Sequence, residues 1–135
     1  RASVEALRAL VAAEGVANLA GKLSLRESVA LVASLDLLVS VDSGPAHIAA
    51  AVGTPVVVLW GPGILAQTRP LSSGSTVEIV REAVPCAPCY GTPAMRACRR
   101  NICMEQIAPA RVTATIEAVL RDAGPTARPS LRPPA

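Results

Sequence analysis

The chain of 135 residues is 51% hydrophobic and carries a net charge of +3. That is enough apolar material for one domain with its own core. So small a charge, gathered between Arg96 and Arg100 and in the C-terminal tail, lays no basic stripe along a helix and argues against nucleic acid as a partner. Phe is absent and Trp60 and Tyr90 are the lone aromatics, so the core must be built of Ala, Val and Leu.

Every apolar run is broken by Gly, Pro or charge before the ~20 residues of a membrane span. The expectation is a soluble protein, touching a membrane at most peripherally. The chain opens on Arg1 without the charged-then-apolar layout of a signal peptide, which suggests a segment of something larger.

Residues 3–14 put Val4, Leu7, Leu10 and Val11 at helical spacing, with Gly15 as a stop. Residues 16–19 form a short strand candidate. Ser24, followed three positions on by Glu27, has the form of a capping box and predicts a helix to about Ser34. Residues 37–41 read as a buried strand, Pro45 as the start of a helix stopping near Gly53, and residues 56–60 as the next strand.

After Gly61, Pro62 and Gly63 the pattern weakens into a loop reaching Ser75, and residues 76–80 offer one more strand. A cysteine-bearing segment, residues 85–104, leads to a helix over residues 109–121, with Val112, Ile116, Val119 and Leu120 on one face. Residues 124–135, rich in Pro and Arg, are expected to be a disordered tail. Apolar strands separated by helices predict a Rossmann-like parallel sheet covered on both faces. The first helix has no strand before it, so the sheet is expected to have at least one further strand N-terminal to this sequence.

The stretch Asp42, Ser43, Gly44, Pro45 runs off an apolar strand, turns, and opens a helix at a proline. Proline suits the first helical position because its missing N–H would have no acceptor there. The next amides lack intrahelical partners and sit at the positive end of the helix dipole, which makes an anion site, with His47 beside it in the first turn. Gly44 lets phosphates come close and permits an unusual φ. The plain alternative is an ordinary α/β connection, for which this turn composition is also favoured. A Ser43 nucleophile is disfavoured, since no G-x-S-x-G elbow surrounds it.

All four cysteines, Cys86, Cys89, Cys98 and Cys103, fall within eighteen positions. In a reducing compartment that spacing favours metal over disulfide, and four thiolates suit tetrahedral Zn²⁺. An iron–sulfur cluster also takes four cysteines, and unligated or disulfide-forming thiols are a further reading. Pro85, Pro88 and Gly91 point to an irregular knuckle, a structural staple between the sheet and the last helix.

Three stretches together, LAGKLSLRE at 19–27, DLLVSVDSGPAH at 36–47 and GTPVVVLWGP at 53–62, resemble the C-terminal half of the heptosyltransferase-type glycosyltransferases of family 9. The cysteine-bearing end is similar too, while Trp60 stands where Phe or Tyr is common in the family. The resemblance implies a two-domain GT-B architecture of facing Rossmann-like halves, this chain being the half that binds the nucleotide-sugar donor. It implies that Ser43, Gly44 and the following amides hold the diphosphate, that Asp42, Pro45 and His47 border the pyrophosphate or sugar, and that Lys22 and Leu23 lie near the nucleoside. It places the acceptor site and the general base in the N-terminal half, so no catalytic residue is assigned within this chain.

The function expected is transfer of a sugar, heptose from ADP-heptose in the family's best-known case, to a lipopolysaccharide-type acceptor in the bacterial cytoplasm or at the inner face of the inner membrane. No cofactor is expected for catalysis, and a zinc is expected only as a structural element. The rivals are a nucleotide-sugar epimerase on the same scaffold and a non-enzymatic metal-stapled binding module. Residues 1–123 are read as the donor-binding domain.

Overall fold

The computed structural model describes residues 15–72 and 74–123; the helix expected over residues 3–14 and the tail at 124–135 lie outside them. Three short strands, β1 (Leu38–Val41), β2 (Val56–Leu59) and β3 (Val77–Val80), form a parallel sheet in the order β1-β2-β3. The register pairs Leu38 with Val56 and Val56 with Val77, so the strands end level with one another.

Helix α1 (Leu25–Ala33) precedes β1, and α2 (Gly44–Val52) connects β1 to β2. The one-turn helix α3 (Leu65–Thr68) lies in the β2–β3 connection, which reads as loop in the sequence. After β3 come two more single turns, α4 (Pro93–Arg96) and α5 (Ile102–Glu105), and then the long α6 (Pro109–Ala123).

Why β2 is the centre follows from its sequence. Val56, Val57 and Val58 alternate between the two faces and are all fully buried, as a strand covered on both sides requires. Each contributes about 1.5–3 kcal/mol by leaving water. On one face Val56, Val58 and Trp60 pack with Ala46 and Ala49 of α2 and Val32 of α1. The alanines let α2 lie close to the sheet. On the other face Val57 and Val80 pack with Ile107 and with Val119 of α6. The result is a helix–sheet–helix sandwich of the Rossmann-like kind. Cover is incomplete at β1, where Val39 and Val41 are 42% and 49% exposed.

The direction of the helices matters for the site. Buried Thr54, just past the end of α2, donates its hydroxyl to the Val32 carbonyl near the end of α1 at 2.8 Å. The two helices, each of nine residues, therefore end side by side and run parallel. Because α2 joins two parallel strands it runs against them, and so does α1. Both helix starts emerge at the C-terminal ends of the strands.

The strand expected at residues 16–19 does not form. The sheet stops at β1 among the described residues, and Val16 and Leu19 are 42% and 40% exposed. Four residues without a neighbouring strand to pair with have no ladder to join. Elsewhere the boundaries fall within one or two residues of the sequence reading: α1 ends at Ala33, α2 ends at a left-handed Gly53, and α6 runs to Ala123.

Candidate functional site

The rim at the C-terminal ends of the strands collects the residues singled out in the sequence. β1 ends at Val41, and Asp42 and Ser43, both half-buried, carry the chain into α2. The helix begins at Gly44 rather than at Pro45, and Ser43 is its N-cap in extended conformation. That cap is not used for capping. The Ser43 hydroxyl makes no hydrogen bond to the helix amides; it donates back to the Val41 carbonyl at 3.2 Å and lies 3.3 Å from the Ser40 hydroxyl. The first turn contains no acidic residue either. Gly44, Pro45 and His47 are exposed around this start.

Gly44 does not have the left-handed backbone that glycine alone favours; it is helical, and a Cβ there would meet no atom within 4 Å. Its φ is set by the helix it begins. What glycine provides at this position is open space beside the first amides.

Lys22 and Leu23 lie in the turn before α1, whose start shares the rim with α2. The Lys22 amide closes that turn on the Leu19 carbonyl at 3.1 Å, the Lys22 side chain is exposed, and Leu23 is half-buried. The structure thus brings Lys22 and Leu23 to the same edge as Asp42, Ser43, Gly44, Pro45 and His47, on the neighbouring helix start.

The sequence reading missed what backs the turn. After β2 the chain passes through Trp60, Gly61, Pro62 and Gly63. Trp60 is 2% exposed and donates its indole N–H to the Gly63 carbonyl at 3.0 Å, which folds the loop back on the ring. A Cβ on Gly63 would fall on the Asp42 carboxylate and within 3.1 Å of the Trp60 ring. The loop is therefore pressed directly against Asp42. A Gly-Pro-Gly run straight after a strand was the available signal.

The cysteine segment also reaches this rim, because it follows the end of β3. The amides of Cys89 and Tyr90 both donate to the Pro62 carbonyl, at 3.1 and 3.0 Å. From the α5 side, Met104 closes on Gly61, where a Cβ would meet its sulfur at 2.9 Å. Cys86, Cys89, Cys98 and Cys103 all line one cavity of about 320 Å³, together with Pro62. Cys103 is buried, Cys89 half-buried, and the other two are exposed. Burial first, and then the nearness of the other three thiols, pushes the Cys103 thiol up, against a backbone hydrogen bond that lowers it. The thiols are unbridged, and among the described residues no three of His, Cys, Asp and Glu stand at the spacing of a bound ion.

Parallel strands with an open helix start at their C-terminal ends define an α/β protein of Rossmann-like class, whose ligands bind outside the carboxyl ends of the strands. The model of glycosyltransferase family 9 (heptosyltransferase) matches residues 1–98. The chain belongs to glycosyltransferase family 9, a family of GT-B architecture.

Among its relatives, lipooligosaccharide heptosyltransferase 2 of Haemophilus influenzae is 48% identical over 60 residues, covering 44% of this chain and 17% of that protein. Lipopolysaccharide heptosyltransferase 2 of Escherichia coli K12 is 43% identical over 60 residues, with the same two shares. The corresponding lipooligosaccharide enzyme of Campylobacter jejuni serotype O:2 is 27% identical over 109 residues, which is 79% of this chain and 33% of that protein. The chain thus spans a third or less of the length of these relatives. No solved structure matches it. The epimerase and binding-module alternatives are not favoured by these relatives. Among the described residues, no helix is long and apolar enough to cross a membrane.

Proposed function

We propose that residues 1–123 form the donor-binding half of a glycosyltransferase that moves heptose from ADP-heptose to a lipopolysaccharide-type acceptor. The observation that carries this is the start of α2. It has no side-chain cap, has open space beside Gly44, and stands at the strand ends of a family 9 chain.

The diphosphate of the donor takes the place of the missing cap. Pro45 has no N–H and the Ala46 amide already donates to the Ser43 carbonyl at 3.0 Å, so the Gly44 amide donates to the diphosphate oxygens, and the Ser43 hydroxyl turns from Val41 to a phosphate oxygen. Asp42, Pro45 and His47 border the pyrophosphate and sugar, and Lys22 with Leu23 lies toward the nucleoside on the adjoining helix start. As the glycosidic bond breaks, negative charge collects on the departing diphosphate. Amide dipoles already aimed at it stabilise that charge more than the ground state, which lowers the barrier. The acceptor and the general base belong to the facing N-terminal half. The reaction takes no cofactor, the four cysteines hold a structural zinc, and the enzyme works in the bacterial cytoplasm, peripheral to the inner membrane at most.

Titration with ADP and UDP of the protein and of a Gly44→Leu variant tests the placement. The backbone there accepts a side chain, since a Cβ at Gly44 meets nothing within 4 Å, and a thermal melt checks that the variant is folded. ADP is expected to bind the parent and to lose at least about tenfold in affinity in the variant, equivalent to about 1.4 kcal/mol. Equal affinity in a folded variant removes the diphosphate from this turn, and tighter binding of UDP than ADP reassigns the donor.

A further inference from the structure

The segment between β3 and α5 poses a packing problem. No residue from Pro85 to Asn101 is buried, and its one helix is a single turn. Apolar burial, the usual source of order, is absent over seventeen consecutive residues. Yet the segment brings three thiols onto a cavity that Cys103 of α5 also lines, and places two amides on the Pro62 carbonyl.

We propose that Cys86, Cys89, Cys98 and Cys103 bind one zinc ion in this cavity, and that the loaded knuckle fixes the 61–63 loop against Asp42. The second part rests on the donor-site reading only for its functional consequence. Two thiols now donate to protein oxygens, Cys98 to the Arg100 carbonyl at 3.0 Å and Cys103 to the Asn101 side chain at 3.1 Å. Binding exchanges those weak S–H bonds for metal–thiolate bonds, and the thiol protons leave to solvent. The thiols do not stand at ligand spacing without the ion, so binding draws the three on the unburied segment toward the buried Cys103.

Four thiolates around Zn²⁺ carry a net charge of −2, and Arg99 lines the same cavity to offset part of it, while Arg100, also on the lining, is paired with Glu105 at 2.7 Å. From there the path to the donor turn is short. The ion holds Cys89; the Cys89 and Tyr90 amides hold the Pro62 carbonyl; Cys103 is adjacent to Met104, which covers Gly61; and Gly63 abuts Asp42.

The test uses the whole protein, stripped of metal by a chelator under reducing conditions. Cobalt(II) alone is the first probe. One equivalent is expected to give the absorption of a tetrahedral thiolate site, to be displaced by zinc, and to bind at least about 100-fold more weakly in Cys89→Ser and Cys103→Ser variants. No such absorption in the parent overturns the site, and so does a brown chromophore with acid-labile sulfide in the protein as isolated, which assigns the thiols to iron.

The second probe is amide exchange at Cys89 and Tyr90, expected to slow about tenfold or more when zinc is added to the stripped parent. Unchanged exchange in a protein that binds cobalt overturns the link to the loop. ADP is expected to bind the stripped protein more weakly than the zinc form, and equal binding overturns the functional link. If ADP binds neither form, the donor-site reading fails while cobalt and amide exchange still decide the knuckle.

Discussion

Helices α1 and α2 are equally long, run parallel, and start at the same rim, yet their N-termini are finished in opposite ways. At α1 the Ser24 hydroxyl accepts from the Glu27 amide at 3.3 Å, and the Glu27 carboxylate accepts from the Ser24 amide at 2.7 Å. The positive end is satisfied by its own chain. At α2 a serine occupies the same cap position and makes no such bond, and no acid follows in the first turn. Two helix starts of equal length thus differ in what remains for a ligand. A closed cap serves folding, and an open one leaves donors to a diphosphate.

The strongest way to break this difference is to close α2. Ser43→Asp gives the helix a cap and a carboxylate where the phosphates are proposed to sit. Affinity for ADP is expected to fall about 100-fold, which is about 2.7 kcal/mol, while the melting temperature holds or rises. Calorimetric titration beside a thermal melt checks both, and retained affinity would mean that the helix start is not the anion site.

A second difference lies behind the turns. The loop of Gly61, Pro62 and Gly63 supports α2's entry through Asp42. Gly63→Ala puts a methyl group on the Asp42 carboxylate and the Trp60 ring, so a loss of about 2 kcal/mol in stability is expected from overpacking. ADP affinity should drop with it. Urea unfolding followed by Trp60 fluorescence reads the stability term.

The contrast between the two helix starts was half legible in the sequence. Ser24 with Glu27 announced a capping box because both partners lie within one turn, and Pro45 and Gly53 marked α2 by rules equally local. The parallel sheet followed from Val-rich runs spaced by helices. What stayed hidden depends on contacts distant in sequence. Whether Ser43 caps its helix is decided by a competing bond to Val41. That the cysteine segment lies on the rim is decided by two hydrogen bonds to Pro62, a residue without an N–H or any periodic signal. Residues 16–19 had strand composition, but a strand is defined by its neighbour, which no local pattern supplies.

The converse change opens α1. Ser24→Ala removes the serine half of the box and is expected to cost about 1 kcal/mol of stability. Because the change touches neither Asp42 nor the α2 amides, ADP affinity should stay within about twofold, less than 0.5 kcal/mol. A loss of binding comparable to that in Ser43→Asp would show that the α1 cap itself holds the donor, beyond the border that Lys22 and Leu23 give the nucleoside.

The smallest effect is electrostatic and belongs to α1 alone. Hydrogen bonds from the Ser24 hydroxyl first, and from its backbone amide second, hold the Glu27 carboxyl below its ordinary value of 4.5. A carboxyl whose folded value is depressed favours the folded state above its unfolded value, and the contribution disappears as pH falls through the lower, folded value. Stability from this cap is therefore expected to be constant from neutral pH down to about 5 and to decline below it. Other carboxylates also titrate in that window, so the wild-type profile alone does not isolate Glu27. Glu27→Gln does, because an amide oxygen still accepts from the Ser24 amide but binds no proton there. The difference in melting temperature between wild type and Glu27→Gln, measured from pH 7 to pH 3, should favour wild type at the upper end and shrink with acid. A difference independent of pH would mean that the box acts through geometry alone. α2, with no acid in its first turn, contributes nothing to this term until a donor phosphate supplies the charge.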